Sequence, residues 1–366
     1  MQQGARWQRT ALAQRLGLSA PIVQGPFGSG LSSVDLVACV CDSGMLGSYG
    51  AHQLSAAGIR ELAANIRART SRPFALNLWL PFAGSEHPPI DDRQFAAARE
   101  ELRPWFEELG AALPDRPARF TPPFQEQVEA VLESRPAVFS FIFGVPDARV
   151  LEACRERSIA TLGTATTPAE AVMLEQAGVD MIVATGFEAG GHRVSFLREP
   201  EDSLTGTLAL VPQVVDAVAV PVIAAGGIAD GRGVAAALML GAQGVQIGTA
   251  FLACEESSAS TIHRRKLFDT GPTQTVLTRS FSGRLARGIR NRFMDEAADF
   301  RHESAPYPVR AWLTGQLKAA AIKANRADVL ALWCGQAGPL LRHRRVRDLA
   351  DSLVEETTRE LTKFAG

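Results

Sequence analysis

Short apolar or β-branched runs recur along the chain at residues 21–24, 45–49, 74–80, 138–143, 159–162, 181–184, 221–225 and 244–247. Between most of them the apolar positions repeat with the period of a helix, as at 32–41, 54–69, 147–157, 168–176, 207–217 and 231–240. Alternation of this kind predicts parallel strands joined by right-handed crossovers, and eight strands favour a closed ring over an open doubly wound sheet. The expected fold class is α/β, a (β/α)8 TIM barrel with an inserted, mostly helical lid subdomain.

Two stretches break the alternation. Residues 81–123 hold most of a Pro-rich, charged insertion around a helix expected near 95–109. Residues 254–325 are longer, Arg-rich and helical in pattern, with a turn-like APYPVR at 305–310. The expected division is a barrel over 1–253, a lid-like subdomain over 254–325 and C-terminal helices over 326–366, the last of them, at 346–364, completing the ring. Long excursions from strand ends commonly carry substrate contacts.

The last two barrel strands end in glycine-marked turns, Gly226-Gly227 and Gly248-Thr249. Glycine lets the backbone come close to an anion, and the N–H groups and positive end of a following helix favour negative charge. Loops after strands seven and eight of such barrels are the usual phosphate site, so a phosphorylated cofactor is expected; the plainer alternative is that these glycines only close tight turns. After strand six comes Thr185-Gly186-Phe187-Glu188-Ala189-Gly190-Gly191-His192-Arg193. His192 stands where a barrel places its active site, and its ordinary pKa suits proton transfer. It is the candidate catalytic residue, against the alternative of a histidine bonding a loop carbonyl. Glu188 precedes it by four residues, but Gly190 and Gly191 break the helix that a metal pair would need. No metal site is expected, and Glu188 is read as orienting the loop by accepting backbone N–H bonds. His52 reads as rim surface. Asn77, inside the apolar FALNLWL, needs either a polar cofactor edge or a backbone partner.

Composition narrows the rest. The chain has 366 residues, 46% hydrophobic and 21% charged, room for a barrel of about 250 residues plus insertions. Net charge is −1, and the two basic clusters, at 263–266 and 342–347, read as solvated helix faces or anion-facing rims. Neither nucleic acid nor a membrane surface is implied as partner. Five scattered cysteines form neither a disulfide framework nor a zinc set, which makes a reducing cytoplasm the default. The N-terminal residues lack a leader's apolar core, and no run is long enough to span a membrane. All four lysines, Lys266, Lys318, Lys323 and Lys363, lie off the expected strands, which sets aside Schiff-base chemistry. Nucleophile elbows and zinc-protease motifs are absent too.

The residues 21–27 (PIVQGPF), 74–79 (FALNLW), 186–193 (GFEAGGHR), the phosphate stretch 221–251, Ser282-Gly283-Arg284 and Trp333-Cys334-Gly335-Gln336, in this order, resemble the nitronate monooxygenase family, formerly called 2-nitropropane dioxygenases. These are FMN enzymes on a TIM barrel. The resemblance implies that Gly227 and the turn Gln246-Ile247-Gly248-Thr249 hold the FMN phosphate. It further implies that Gly25, Pro26, Phe27, Asn77, Thr185 and Gly190 contact the flavin and that His192 is the catalytic histidine. The implied reaction oxidises an alkyl nitronate or nitroalkane with O2 to a carbonyl compound and nitrite, with His192 deprotonating a nitroalkane or holding the nitronate.

Three positions depart from the family pattern: Thr185 replaces a glutamine, Val194 a glycine after His-Arg, and Met45 a glycine of strand two. Val194 and Met45 are expected to add bulk near the pocket mouth. Tyr307 matches a pocket tyrosine only loosely. Two other functions stay open: an NAD(P)H-dependent flavin reductase of an enoyl thioester or quinone, since flavin-dependent enoyl-acyl carrier protein reductases look similar at EAGGH and at AAGGI–QIGT, and a non-catalytic barrel binding a phosphate ligand. A small-molecule substrate and O2 are the expected partners, and a homodimer stays open.

Overall fold

The computed structural model describes residues 6–81, 90–297 and 305–363. The Pro-rich segment 82–89, residues 298–304 of the expected lid and the far end of the expected last helix at Phe364 lie outside the described residues. Strands in chain order are β1 (Ile22–Gln24), β2 (Gly47–Gly50), β3 (Phe74–Trp79), β4 (Val138–Ile142), β5 (Ala160–Ala165), β6 (Met181–Thr185), β7 (Gly191–His192), β8 (Val222–Ala225), β9 (Gly244–Ile247), β10 (Thr275–Thr278) and β11 (Ala286–Ile289). Eight of these form one parallel sheet in the order β1-β9-β8-β6-β5-β4-β3-β2. The ring closes where Gln24 N–H donates to the Leu46 carbonyl at 2.9 Å and Leu46 N–H to the Ile22 carbonyl at 3.0 Å.

Most strands of the eight-stranded ring are apolar on both faces because each face meets a different core. Along β6, Met181 and Val183 point into the barrel, with Val23, Leu162 and Ile223, while Ile182 and Ala184 join the outer layer under the helices. That division is the period-two alternation of a strand, and burial on both sides turns it into a continuous apolar run. The N-terminal helix Ala11–Leu16, capped by the Thr10 side chain, adds Leu12 to the interior cluster. Met45 precedes β2 and packs in the outer layer with Leu36, Val37 and Val40; it lines neither of the cavities described below. The expected bulk at the mouth therefore does not come from Met45, because it enters strand two at the end away from the strand's C-terminus.

The two excursions form one body. Phe95, Leu102, Trp105 and Phe106 of the insertion share an apolar cluster with Ile262, Phe281, Phe293, Leu313 and Leu317 of the 254–325 stretch. The fully buried Arg310 guanidinium pairs with Glu101 across this contact and donates to the Ser280 carbonyl at 2.8 Å. Burying a charge is costly unless it is paired, so the pair fixes how the two segments meet. The insertion's expected single helix is two, Asp92–Glu101 and Arg103–Glu108, broken ahead of Pro104. The 254–325 stretch carries helices Thr261–Phe268 and Val309–Lys323, and also the antiparallel hairpin β10–β11, which the helical pattern did not announce.

The ring is completed by helix Val346–Thr362 against helix Gly231–Met239. At their contact a Cβ on Gly231 would stand 2.3 Å from Glu356 Cβ and 2.5 Å from the Thr357 nitrogen. The Gly231 N–H also donates to Glu356 Oε2 at 3.1 Å. Gly231→Ala is expected to lower the unfolding free energy by about 1–3 kcal/mol through overpacking, read as a fall in the urea midpoint with unchanged slope.

Candidate active site

A cavity of about 190 Å³ opens at the C-terminal ends of the barrel strands. Gly25, Pro26 and Phe27 enter it from the loop after β1, Asn77 from β3, Thr185 and Gly190 from β6 and its loop, and Gly227, Gln246, Gly248 and Thr249 from the last two strand ends. His192 and Val194 line it as well. Ile247 does not: its side chain is buried in the outer core, and only its carbonyl turns toward the site, accepting from the Gly25 N–H at 2.9 Å. Asn77 donates to Ser140 Oγ at 3.0 Å, so a neighbouring side chain, not a backbone group, meets one half of its amide.

The glycines let loops touch. A Cβ on Gly190 would lie 2.6 Å from the Gly335 nitrogen, and one on Gly25 would be 3.3 Å from Gly248 Cα. Gly226 and Gly227 adopt φ of 102° and 71°, which an L side chain resists. Among the described residues, the N–H groups of Gly226, Gly227 and Ile228 have no hydrogen-bond partner, and all three residues face the cavity. The following helix offers less than its position suggests. Asp230 caps it by accepting from the N–H groups of Arg232 and Gly233, and Glu356 takes the N–H of Gly231. An anion at this end would be held by the glycine turn and not by that helix's N-terminus.

Glu188 accepts from the Thr207 N–H at 2.8 and 3.0 Å and from the Thr207 hydroxyl at 3.0 Å. It thus caps helix Thr207–Ala217, whose own N-cap is Gly206. Its carbonyl accepts from Gln336 N–H at 2.9 Å, which draws the 333–337 loop over the mouth, where Gly335 N–H bonds Thr249 Oγ1 at 2.9 Å. Among the described residues no cluster could hold a metal ion. Buried Arg193 donates to the carbonyls of Thr185 at 2.9 Å and Ser203 at 2.8 Å, pinning the loop from behind.

His192 owes its place to the hairpin. Gly191 and His192 form β7, paired antiparallel with Arg287 and Ala286 of β11, and Arg193 N–H donates to the Leu285 carbonyl at 2.8 Å. The imidazole Nε2 lies 2.8 Å from Ser282 Oγ, which also contacts the backbone of Arg284. Trp79 meets the ring edge-on with centroids 4.9 Å apart, and Trp333 lies at 5.3 Å. Burial, then the positive charge of Arg284 and the neighbouring His52, push its pKa down to about 3. His192 is therefore neutral at physiological pH.

His52 is not rim surface. Its ring stacks on Trp79 at 3.9 Å and is 6% exposed, with burial pushing its pKa down to about 3. His263, in one of the basic clusters, also turns inward: Nε2 lies 3.1 Å from the Trp333 carbonyl, and burial brings its pKa to about 4. Sequence reasoning left Trp79, Ser282 and Trp333 without roles, although all three stand in the stretches that carried the family resemblance. Tyr307 lies 5.7 Å from Trp79, and burial pushes its phenol up to about 12.

A family model described as nitronate monooxygenase matches residues 9–356. A probable nitronate monooxygenase of Staphylococcus haemolyticus is 37% identical over 97% of this chain and 99% of its own. The crystal structure of nitroalkane oxidase from Streptomyces ansochromogenes is 36% identical, covering 97% of this chain and 99% of that one, with a TM-score of 0.88. FabK from Thermotoga maritima is 25% identical, covering 98% and 99%, with a TM-score of 0.75. Among the described residues no helix is long and apolar enough to cross a membrane.

His52 and His263 stay neutral in the fold well below the pH at which they protonate in the unfolded chain. Their contribution is thus present above about pH 6.5 and is lost as pH falls toward 4. Each adds a slope of up to about 1.4 kcal/mol per pH unit in that window. Urea midpoints measured from pH 7 to 4.5 are expected to fall, and His263→Gln to fall less steeply than the parent.

Proposed function

Because the chain belongs to the nitronate monooxygenase family, a family of oxidoreductases, we propose that it binds FMN at the barrel mouth and oxidises alkyl nitronates with O2 to a carbonyl compound and nitrite. The observation that carries this reading is one cavity with free backbone donors at the Gly226–Ile228 turn and a neutral histidine on its wall. The donor set suits the group: backbone N–H groups would donate to phosphate oxygens, and Gly227, Gln246, Gly248 and Thr249 line the same end of the cavity. Gly25, Pro26, Phe27, Asn77, Thr185 and Gly190 would border the flavin; Ile247 would act through its backbone alone. Bound flavin supplies the electron-transfer chemistry between nitronate and O2, which no side chain of this chain offers.

The low pKa of His192 favours one of its two candidate roles. A base works best with a pKa near the operating pH, so an imidazole held near 3 is poorly suited to deprotonating a nitroalkane. A neutral imidazole still donates one N–H, and a hydrogen bond to an anion is stronger than one to a neutral group. On this reading His192 would hold the nitronate anion, with Ser282 and the two tryptophans contacting the ring. Arg284, whose guanidinium lies 4.0 Å from the Phe143 ring centroid, adds positive potential beside it.

The purified protein is expected to absorb as a flavoprotein and, without O2, to bleach on mixing with ethyl nitronate while NADH leaves the colour unchanged. Bleaching by NADH alone would instead place it with flavin reductases. His192→Ala should keep its flavin and lose roughly ten- to a hundredfold in kcat/KM on nitronate, the cost of a hydrogen bond to a charged group. Ser282→Ala, which removes only the support, is expected to lose about two- to tenfold, mostly in kcat. A His192→Ala variant with full turnover would take the imidazole out of the reaction.

A further inference from the structure

Beyond the first cavity lies a second of about 410 Å³, and Ser29, Leu31, Trp79, His192 and Trp333 line both. Its outer wall comes from the insertion (Phe120), the lid (Phe281, Trp312 and Ile322) and the segment after it (Leu330 and Leu332). We propose that this chamber is a substrate subsite taking a large apolar substituent on the nitronate carbon, an aryl group or a long alkyl chain. The proposal rests on the nitronate-oxidising reading above and adds the substrate class.

Three independent features point the same way. The chamber has more than twice the volume of the first and falls in the roughly 300–1,000 Å³ range of pockets for drug-sized ligands, whereas a two- or three-carbon nitronate would leave most of it to water. No Asp or Glu lines it, and its one formal charge is Lys318, whose ammonium donates to the Ser29 carbonyl at 2.7 Å and has no carboxylate partner among the described residues. An apolar space with positive bias admits an anionic head carrying an apolar tail and disfavours a cation. Finally, Gly315 sits inside helix Val309–Lys323 on the chamber wall, where a Cβ would meet nothing within 4 Å. A helix-interior glycine is worse than alanine for stability, and neither close packing nor a positive φ calls for it here. Its absent side chain leaves the chamber open.

The test is a chain-length series on the holoenzyme, from ethyl nitronate to hexyl nitronate, with phenylmethyl nitronate beside it. Expected is a rise in kcat/KM of about three- to fourfold per methylene as apolar surface leaves water. Gly315→Leu and Gly315→Phe should flatten that slope and keep the flavin. Titration with 4-phenylbutyrate, an unreactive apolar anion, should quench fluorescence of the tryptophans on the chamber wall saturably in the parent and at least tenfold more weakly in Gly315→Phe. A flat series in the parent, with ethyl nitronate well oxidised, overturns the subsite and leaves the oxidising reading intact. Failure to oxidise any nitronate defeats that reading, and the fluorescence titration then decides the chamber alone: no saturable quenching overturns it.

Discussion

Two residues of β-structure hold the site together. Gly191 and His192 leave the end of β6 and pair with Arg287 and Ala286 of β11, a strand some ninety positions later in the chain. Without that pairing the loop after β6 would carry its histidine on glycine-rich backbone with no fixed direction. With it, the imidazole stands where two cavities meet and the lid is hydrogen-bonded to the barrel at the candidate site. Arg287 strengthens the joint, donating to the Phe187 carbonyl at 2.9 Å while its guanidinium lies 5.4 Å from the Phe187 ring. The lid is thus part of the active-site wall, and its apolar cluster, shared with the insertion, sets how far that wall stands from the mouth.

The barrel was legible in the sequence because burial on both faces removes polar residues from its strands. All eight runs became strands, with ends shifted by no more than about three residues, the error expected of element boundaries. β10 and β11 escaped for the opposite reason. TVLT is half-buried throughout and ARGI carries a buried arginine, so neither shows the apolar signal of a strand, and only partners distant in sequence make them one. Candidate lining residues were readable where glycine marked a close approach, as at Gly25, Gly190 and Gly227. His52 and Met45 were misplaced because burial of a residue near a strand end depends on what folds over it. Trp79 covers His52; the helices around the ring cover Met45.

The electrostatics follow from the same enclosure. Packing His52 face-on and His192 edge-on against Trp79 removes water from two imidazoles, and among the described residues no carboxylate acts on either ring to hold it charged. Arg284 adds a positive charge without adding a proton acceptor. On the proposed reading, uncharged rings beside a guanidinium would favour a substrate that arrives as an anion.

That asymmetry bears on the tight turn at the opposite end of the cavity. The helix after β8 has its N-terminus satisfied by Asp230 and Glu356, and those carboxylates also pair with Arg342. The first N–H groups of that helix are therefore already taken, and the two carboxylates are balanced by Arg232 and Arg342, so an incoming phosphate would find few free donors on the helix itself. What remains is local: free N–H groups on a turn that lines the cavity, with two residues in a conformation that only glycine adopts easily. Affinity there depends on shape more than on charge. At the other end His192 stands on the wall the two chambers share, Arg284 acts on it through its charge, and Lys318 lines the second chamber, so positive charge gathers on the lid side. On the proposed reading the residues that would grip the phosphate lie on the barrel, whereas much of the second chamber's outer wall comes from the excursions and the segment after them, so cofactor and substrate would meet different parts of the chain.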